Sequence, residues 1–381
     1  MTLIRREDIE ARERLTLACY AALAANSRGR VFPQPEHPLR TAYQRDRDRI
    51  VHSAAFRRME YKTQVFIPHL ADHFRTRLTH TIEVAQISRT LARNLRLNED
   101  LTEAIALVHD LGHTPFGHSG EDVLNELLAD FGGFNHNRQT LRVVDLLEER
   151  YPDHPGLNLT YEVREGIVKH ETRGGRVGPE FHPEERPTLE AALVDKADEL
   201  AYMAHDIDDG LNSGLITLED IRPLAIWDTP GSPLKRAPEF NAAAENDRLR
   251  YELVRYLINT LATDLLDTTS GRLSHMGIAD HRSLRLAPGP MCVYSDSIAP
   301  MAAELKQLLN TRLYRHPRLV AMADQAQRTI RKLFRLLTKN PRLMPPRYQV
   351  MIGDHPLEIV AADYLAGMTD RFAEKLAQHP D

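Results

Sequence analysis

His109 and Asp110 stand side by side near the end of an apolar run that stops at Gly112. An imidazole nitrogen beside a carboxylate oxygen is a mixed ligand pair that suits Mg²⁺, Mn²⁺, Fe or Zn²⁺. Such a pair can equally be a hydrogen-bonded helix end, so its neighbours decide what it means. His80 lies upstream, one helical turn after Arg77, and could supply a third ligand to the same ion.

A second candidate group lies on one face of a predicted helix farther along the chain. Its members recur at spacings of three and four residues, which places them on the same side of an α-helix. They are Asp195, Asp198, Tyr202, Asp206 and Asp209. A solvated acidic face has the same pattern, and Asp195 and Asp209 fit that interpretation. A tyrosine centred between acids in an apolar helix is less expected on a bare surface, which favours a site.

Helices must position these groups, because helical periodicity dominates the chain. Apolar residues trace one helical face over 78–95, and the run 104–108 follows a helix start at Asn98. Alternating, strand-like runs are scarce, so the sequence predicts an all-α protein. The expected organisation is an amino-terminal arm over 1–39, a helical core over 40–225 and a carboxy-terminal helical region over 246–381.

Composition excludes several classes of protein. The 381 residues are 42% hydrophobic and 27% charged, which is enough to bury a sizeable core. A net charge of −5 argues against a dedicated cationic binder of nucleic acid or membrane surfaces. The two cysteines, Cys19 and Cys292, cannot form a disulfide framework or a thiolate metal cage. Without a targeting segment or a membrane-spanning run, the sequence predicts a cytoplasmic protein.

The order of a His, a His-Asp pair and a distant Asp resembles the ligand pattern of the HD-domain metallophosphohydrolases. Five segments, in order, resemble the deoxyguanosinetriphosphate triphosphohydrolase family, in particular its shorter bacterial dGTPase-like members. The segments are YQRDRDRIVHSAAFRRMEYKTQVF, RTRLTHTIEVAQISR, HDLGHTPFGHSGE, FNHNRQTLR and DKADELAYMAHDIDDGL. The resemblance runs almost continuously from residue 40 to about 211, and implies an HD-type helical core with additional carboxy-terminal helices.

The resemblance also implies a divalent metal site. The implied ligands are His80, His109, Asp110 and Asp198. Asp198 is preferred to Asp195 because the family places a Tyr four residues after this ligand and an Asp eight residues after it, as Tyr202 and Asp206 do here. Mn²⁺ or Mg²⁺ is the expected ion, with Fe, Co, Ni and Zn as alternatives.

Other residues match family positions that contact substrate or act in the catalytic step. The implied catalytic residues are His118, Glu121 and His136. The implied substrate-binding residues are Gln64, Arg77, Lys169, Tyr202 and Asp206. Cationic side chains suit the phosphates, and an imidazole can relay a proton to the leaving sugar oxygen while a carboxylate fixes its tautomer. His113, by contrast, is expected to make only a structural hydrogen bond after the helix end.

The implied activity is metal-dependent hydrolysis of dGTP and other deoxynucleoside triphosphates (dNTPs) to the deoxynucleoside and tripolyphosphate. One alternative is another HD phosphohydrolase, acting on cyclic or alarmone nucleotides, but the segment 43–66 and the FNHN motif count against it. A second alternative is a non-catalytic regulator that binds nucleotides or single-stranded DNA, and the complete ligand set counts against that. Zincin, kinase and dinucleotide motifs are absent from the sequence.

The resemblance further implies a homo-oligomer, a tetramer or hexamer. The helices after residue 246 carry a broad apolar stripe that includes Tyr251, Leu253 and Leu257. These helices are expected to contribute subunit contacts, although part of the stripe must pack on the core. A dNTP as allosteric effector and weak binding of single-stranded DNA stay open as further interactions, and no membrane partner is expected.

Overall fold

A computed structural model describes residues 3–65, 74–170, 177–235 and 243–379, with side chains of the last segment from 247 onward. Within these residues the secondary structure is helical, and the only β-type pairings are isolated bridges such as Arg30 with Thr160. The predicted all-α fold is confirmed. None of the described helices is long and apolar enough to cross a membrane.

Seventeen α-helices occur in the described residues, numbered here in chain order. They are α1 (Arg6–Thr16), α2 (Ala42–Val51), α3 (Ala54–Arg58), α4 (Arg77–Asn94), α5 (Glu99–Val108), α6 (His118–Leu127), α7 (His136–Arg142), α8 (Tyr161–Lys169), α9 (Leu189–Asn212), α10 (Leu218–Ile221), α11 (Ala243–His275), α12 (His281–Arg285), α13 (Ile298–Leu308), α14 (Pro317–Lys339), α15 (Pro346–Met351), α16 (Leu357–Ala366) and α17 (Asp370–Gln378).

Side-chain caps begin the three helices that carry the predicted ligands. Thr76 caps α4, Asn98 caps α5 and Thr188 caps α9, and each side chain accepts a hydrogen bond from the amide three residues on. These caps satisfy amides that have no partner inside the helix. Because α5 ends at Val108, the pair His109–Asp110 follows directly after its last turn.

The first apolar core holds α4, α5 and α9 against one another, with α2 and α8 packed on α5. Val84 of α4, Ile105 of α5 and Leu200 of α9 are fully buried there. Burying a side chain of this size stabilises the fold by about 1.5–3 kcal/mol. The packing therefore fixes the relative positions of the three helices whose polar residues were predicted to meet.

A second apolar core joins α6 to the carboxy-terminal helices. Leu124 of α6 is buried with Leu333 of α14 and Ala361 of α16. The long helix α11 packs along α9, and its stripe residues Leu253 and Leu257 are fully buried within the chain. Much of the stripe therefore serves the fold of one chain, while the predicted boundary near residues 225–246 and the predicted homo-oligomer stay predictions.

Candidate active site

The four predicted metal ligands meet where α4, α5 and α9 come together. The Nε2 atom of His80 lies 2.8 Å from a carboxylate oxygen of Asp198. The Nε2 atom of His109 lies 3.4 Å from an oxygen of Asp110 and 3.8 Å from an oxygen of Asp198. Ligand atoms of His80, His109 and Asp110 all lie within 4.8 Å of one another. The structure thus brings two imidazoles and two carboxylates to one point.

The hydrogen bonding of His109 indicates that a cation fits this point. Its Nδ1 lies 2.7 Å from the carbonyl oxygen of Ala106, so Nδ1 carries the proton and Nε2 carries the lone pair. That Nε2 is buried and has no hydrogen-bond partner among the described residues. An unsatisfied buried polar atom costs about 1–3 kcal/mol, which a ligand at Nε2 would remove. Two imidazoles with two carboxylates are a donor set suited to a divalent cation.

The two carboxylates of this cluster are held in the ionised form. Burial alone raises the pKa of Asp110, but His109 and Arg77 outweigh it and hold that pKa well below its ordinary value. Burial likewise raises the pKa of Asp198, and the imidazoles of His170 and His80 reverse the effect. Ionised carboxylates are the form that binds a cation, and the imidazoles would give up their protons to join them as ligands.

Helix α8 adds to the cluster a histidine that the sequence patterns did not predict. His170 follows the last residue of α8, is buried, and places its Nε2 3.7 Å from an oxygen of Asp198. Its Nδ1 hydrogen-bonds to Asp195, so Asp195 orients this ring, and its interpretation as a purely solvated acid is wrong. Val163, Ile167 and His170 follow one another at spacings of four and three, and both apolar residues are fully buried. That spacing predicts an inward-pointing His170.

A second cluster of imidazoles surrounds Glu121 of α6. An oxygen of Glu121 lies 2.9 Å from Nδ1 of His136 and 3.5 Å from Nδ1 of His118. Burial raises the pKa of Glu121, but the interactions with His118 and His136 outweigh it and hold the pKa below its ordinary value. His113 stacks on His136 with ring centroids 4.0 Å apart, and its Nε2 lies 3.1 Å from an oxygen of Asp110. His113 therefore links the two clusters, which is more than the structural hydrogen bond expected for it.

His118 and His136 differ in exposure. The side chain of His118 is 75% exposed and that of His136 only 11%. The carboxylate of Glu121 raises the pKa of His118. An exposed imidazole that retains its proton can act as a proton donor to a molecule bound beside it.

Both clusters open into one cavity of about 500 Å³. Its polar wall includes six residues predicted from the sequence to contact substrate or act on it, namely Gln64, Arg77, His118, His136, Tyr202 and Asp206. Its apolar wall is formed largely by α14 through Leu319, Met322 and Ala326. The carboxy-terminal helices thus complete the cavity, a contribution that no polar motif in their sequence indicates.

Three of the predicted substrate-binding side chains have polar groups directed to the cavity region. Arg77 is buried and donates from Nη1 to Asp110 at 2.8 Å, while its Nε has no partner in the described part of the chain. The side-chain oxygen of Gln64 is buried and, within the same residues, likewise lacks a partner. Asp206 accepts a hydrogen bond from the hydroxyl of Tyr314, and burial raises the pKa of Asp206 to about 6.

Lys169 is the predicted substrate-binding residue that the structure does not bring to the cavity. Its Nζ donates to Glu165 at 2.9 Å and to the carbonyl oxygens of His182 and Glu185 at 3.1 and 2.7 Å. These acceptors use all three ammonium protons. Lys169 lies one turn after Glu165 on the same face of α8, and is absent from the described residues that line the cavity. The expected phosphate contact of Lys169 is therefore corrected to an internal ion pair.

Two family models match the chain. The HD domain matches residues 77–203, a range that contains all four predicted metal ligands, and the phosphohydrolase-associated domain matches residues 292–379. The fold and the His/Asp cluster thus define an HD-domain protein, with a family match that also includes the carboxy-terminal helices.

Similar proteins extend this match to nearly the full length. A deoxyguanosinetriphosphate triphosphohydrolase-like protein of Ralstonia nicotianae is 50% identical over 365 residues, 94% of this chain and 93% of the relative. One of the same name from Geobacter sulfurreducens is 46% identical over 374 residues, 97% of this chain and 96% of the relative. The chain belongs to the deoxyguanosinetriphosphate triphosphohydrolase-like family, and the resemblance read from the sequence motifs is confirmed.

Proposed function

We propose that this protein hydrolyses dGTP and other deoxynucleoside triphosphates to the deoxynucleoside and tripolyphosphate. The observation that carries the proposal is the convergence on one cavity of a cation-binding cluster, the guanidinium of Arg77 and the exposed imidazole of His118. The names of the relatives support the same substrate class. Mn²⁺ or Mg²⁺ is the proposed ion.

His80, His109, Asp110 and Asp198 would hold the cation. When bound, a divalent cation supplies polarisation of a phosphoryl oxygen and makes hydroxide available near neutral pH. Arg77 would bind a phosphate oxygen beside it, because its guanidinium lies in the cavity wall and is anchored by Asp110. An anchored guanidinium loses little freedom on binding and offers its remaining N–H groups in a fixed geometry.

His118 would protonate the leaving sugar oxygen. Its Nδ1 faces Glu121, so the proton on Nε2 is the one available to the cavity. Glu121 also faces Nδ1 of His136, which makes His136 the competing candidate for the same proton transfer. Both imidazoles line the cavity, and His118 is preferred because it is far more exposed than His136.

Gln64, Tyr202 and Asp206 would surround the deoxyribose. All three line the cavity. The unpartnered side-chain oxygen of Gln64 can accept a hydrogen bond from the 3′-hydroxyl of the sugar. GTP keeps the 3′-hydroxyl and adds a 2′-hydroxyl, for which Gln64 and Tyr202 would leave little room beside the sugar. GTP should therefore be a much poorer substrate than dGTP.

The proposal is tested by incubating the protein with each dNTP, singly and in mixtures, in Mn²⁺ or Mg²⁺, and separating the products by ion-exchange chromatography. We expect equal amounts of deoxynucleoside and tripolyphosphate. Release of pyrophosphate or orthophosphate, turnover of cyclic or alarmone nucleotides, or equal rates on dGTP and GTP would contradict it. Tight nucleotide or single-stranded DNA binding with no product would indicate a regulator instead.

A further inference from the structure

The carboxy-terminal helix α17 contributes a carboxylate to the segment before His118. Asp370, the first residue of α17, is buried, and one of its oxygens accepts a hydrogen bond from the amide of Phe116 at 2.9 Å. The other oxygen accepts from the amide of Thr63 at 2.8 Å and from the Thr63 hydroxyl. One side chain from the end of the protein thus joins the segments that lead into His118 and Gln64.

The segment that Asp370 holds has a strained backbone. Phe116 has a φ of 62°, in the left-handed region that bulky residues rarely adopt, and Gly117 follows with a φ of 57°. A residue held in such a region is strained and keeps its conformation only when its surroundings enforce it. The hydroxyl of Thr114 donates to the Gly117 carbonyl at 2.9 Å, and Asp370 provides the acceptor for the Phe116 amide.

Close packing makes the position of this turn matter to the site. A Cβ atom at Gly117 would lie 3.2 Å from a guanidinium nitrogen of Arg77 and 3.6 Å from the carbonyl oxygens of Thr63 and Gln64. A shift of the turn would therefore disturb Arg77 and Gln64 as well as His118, the residue that begins α6 directly after it.

A buried lysine makes a second connection of the same kind. Lys62 donates from Nζ to the carbonyl oxygen of His113 at 2.6 Å and to that of Ala366, at the end of α16, at 2.8 Å. The segment 113–117 is thus held to the carboxy-terminal helices at two points, by Lys62 at its start and by Asp370 near its end.

Stabilisation of α17 itself does not explain the orientation of Asp370. The helix is capped by Thr369, whose side chain accepts a hydrogen bond from the amide of Phe372. Both oxygens of Asp370 instead accept from donors in the amino-terminal half of the chain.

We infer that Asp370 is a positioning residue for the reaction at this cavity. It fixes the Phe116–Gly117 turn and Thr63, so that His118 and Gln64 face the bound substrate. The inference rests on the proposed function, since the residues it positions are those assigned to the leaving oxygen and the sugar. Asp370 acts through these residues and is not itself a catalytic group.

The variants Asp370→Asn and Glu162→Gln form a matched pair. Glu162 is also buried, and it accepts from one hydroxyl and one amide, those of Ser27 and Arg28 at 2.6 and 2.8 Å, whereas Asp370 accepts from one hydroxyl and two amides. Neither Ser27 nor Arg28 is among the described residues of the cavity wall. We expect both variants to lose stability, but only Asp370→Asn to lose kcat, on the order of 10²-fold, since a small displacement of a catalytic group has that effect. Bound Mn²⁺ should be unchanged in both.

A double-mutant cycle separates positioning from general weakening. In a His118→Ala background, Asp370→Asn should reduce kcat much less than it does in the wild type, because residues that act together are not additive. If Asp370→Asn does not fold, Thr63→Val removes only the hydroxyl donor and should reduce kcat more modestly. Fully additive losses, or a kcat for Asp370→Asn (or for Thr63→Val, in its place) equal to that of Glu162→Gln, would overturn the inference.

Hydrogen exchange provides a readout that does not depend on turnover. Amides over 116–118 should exchange faster in Asp370→Asn than in the wild type and in Glu162→Gln, because the acceptor of the Phe116 amide is weakened. A wild type that releases no tripolyphosphate contradicts the proposed function. Unchanged protection over 116–118 contradicts the positioning role, whichever result the activity assay gives.

Discussion

The two histidine clusters of the cavity use the same residue types and differ in exposure. Around Asp198, the side chains of His80, His109 and His170 are each only 2% exposed. Around Glu121, the imidazole of His118 is largely accessible. A carboxylate lies at the centre of both clusters, and among the described residues each has a buried imidazole nitrogen without a hydrogen-bond partner, Nε2 of His109 in the first and Nδ1 of His113 beside the second.

The comparison shows that a difference in burial suits similar residues to different roles, binding a cation or transferring a proton. Buried imidazoles and carboxylates are costly to leave uncompensated, so the Asp198 cluster is suited to holding a cation. In the Glu121 cluster, the carboxylate orients the rings and raises the pKa of an exposed His118, so this cluster is suited to moving a proton. His113 lies between them, against Asp110 on one side and His136 on the other.

The largest effect is expected from removing the carboxylate of the first cluster. Asp198→Ala should abolish both bound metal and turnover, because it deletes a ligand that faces three imidazoles. Asp195→Ala is the matched control: it frees the His170 ring but leaves the four predicted ligands, so metal should be retained and activity partly lost. Elemental analysis of the bound metal, together with the turnover rate, tests the expectation for both variants. Retention of both metal and turnover in Asp198→Ala would contradict the ligand assignment.

A loss of turnover with the metal retained is expected from the second cluster. His118→Ala should keep bound Mn²⁺ and bind dNTP, yet lose on the order of 10²–10⁴ in kcat, the range typical of a general acid. His136→Ala should lose less. The two rate constants, measured at saturating dNTP, compare the candidates directly. If His118→Ala turns over at the wild-type rate while His136→Ala is inactive, the roles must be exchanged.

The pH dependence should distinguish the clusters more finely. Glu121 raises the pKa of His118, so Glu121→Gln should lower it. A general acid acts in its protonated form, so activity is present below this pKa and is lost as the pH rises through it. The alkaline limb of the kcat profile should therefore move to lower pH in Glu121→Gln. A profile measured at fixed Mn²⁺ tests this, and a limb that stays in place or moves upward contradicts it.

The Asp198 cluster could be predicted from the sequence because its motifs resemble those of a known family, which implies the four ligands. The pair His109–Asp110 is contiguous, and Tyr202 and Asp206 follow Asp198 at helical spacing. His170 was not predicted, because it belongs to none of the motifs that carry the resemblance and has no polar partner at helical spacing on α8. Lys169 and His170 are both buried, and what distinguishes the directions of their side chains is the neighbouring residues, Glu165 on the Lys169 side of α8 and the apolar Val163 and Ile167 on the His170 side.

The contribution of the carboxy-terminal helices could not be predicted by the same means. Tyr314 meets Asp206 and Asp370 meets Phe116 across long stretches of chain, and neither contact has a periodic or motif signal. Asp370 in particular has the sequence appearance of an ordinary acid in the first turn of a helix. Contacts between distant segments depend on how the helices pack together. The sequence pattern predicts each helix separately and does not predict which helices meet.

The smallest effect on turnover is expected at Lys169, which lies beside His170 in sequence but outside both clusters. Its Nζ is committed to Glu165 and to two carbonyl oxygens, and Arg285 also binds Glu165. Lys169→Met should lower the free energy of unfolding by about 3 kcal/mol, the low end for breaking a buried ion pair, since Arg285 still compensates Glu165. Urea denaturation measures the loss, and kcat and KM for dNTP should stay near wild type.

Arg77→Met is the contrasting variant, because the guanidinium of Arg77 lies in the cavity wall and its loss should raise KM or reduce kcat. A large rise in KM for Lys169→Met, at a temperature where the variant is fully folded, would restore Lys169 as a phosphate ligand and would mean that the end of α8 rearranges when substrate binds.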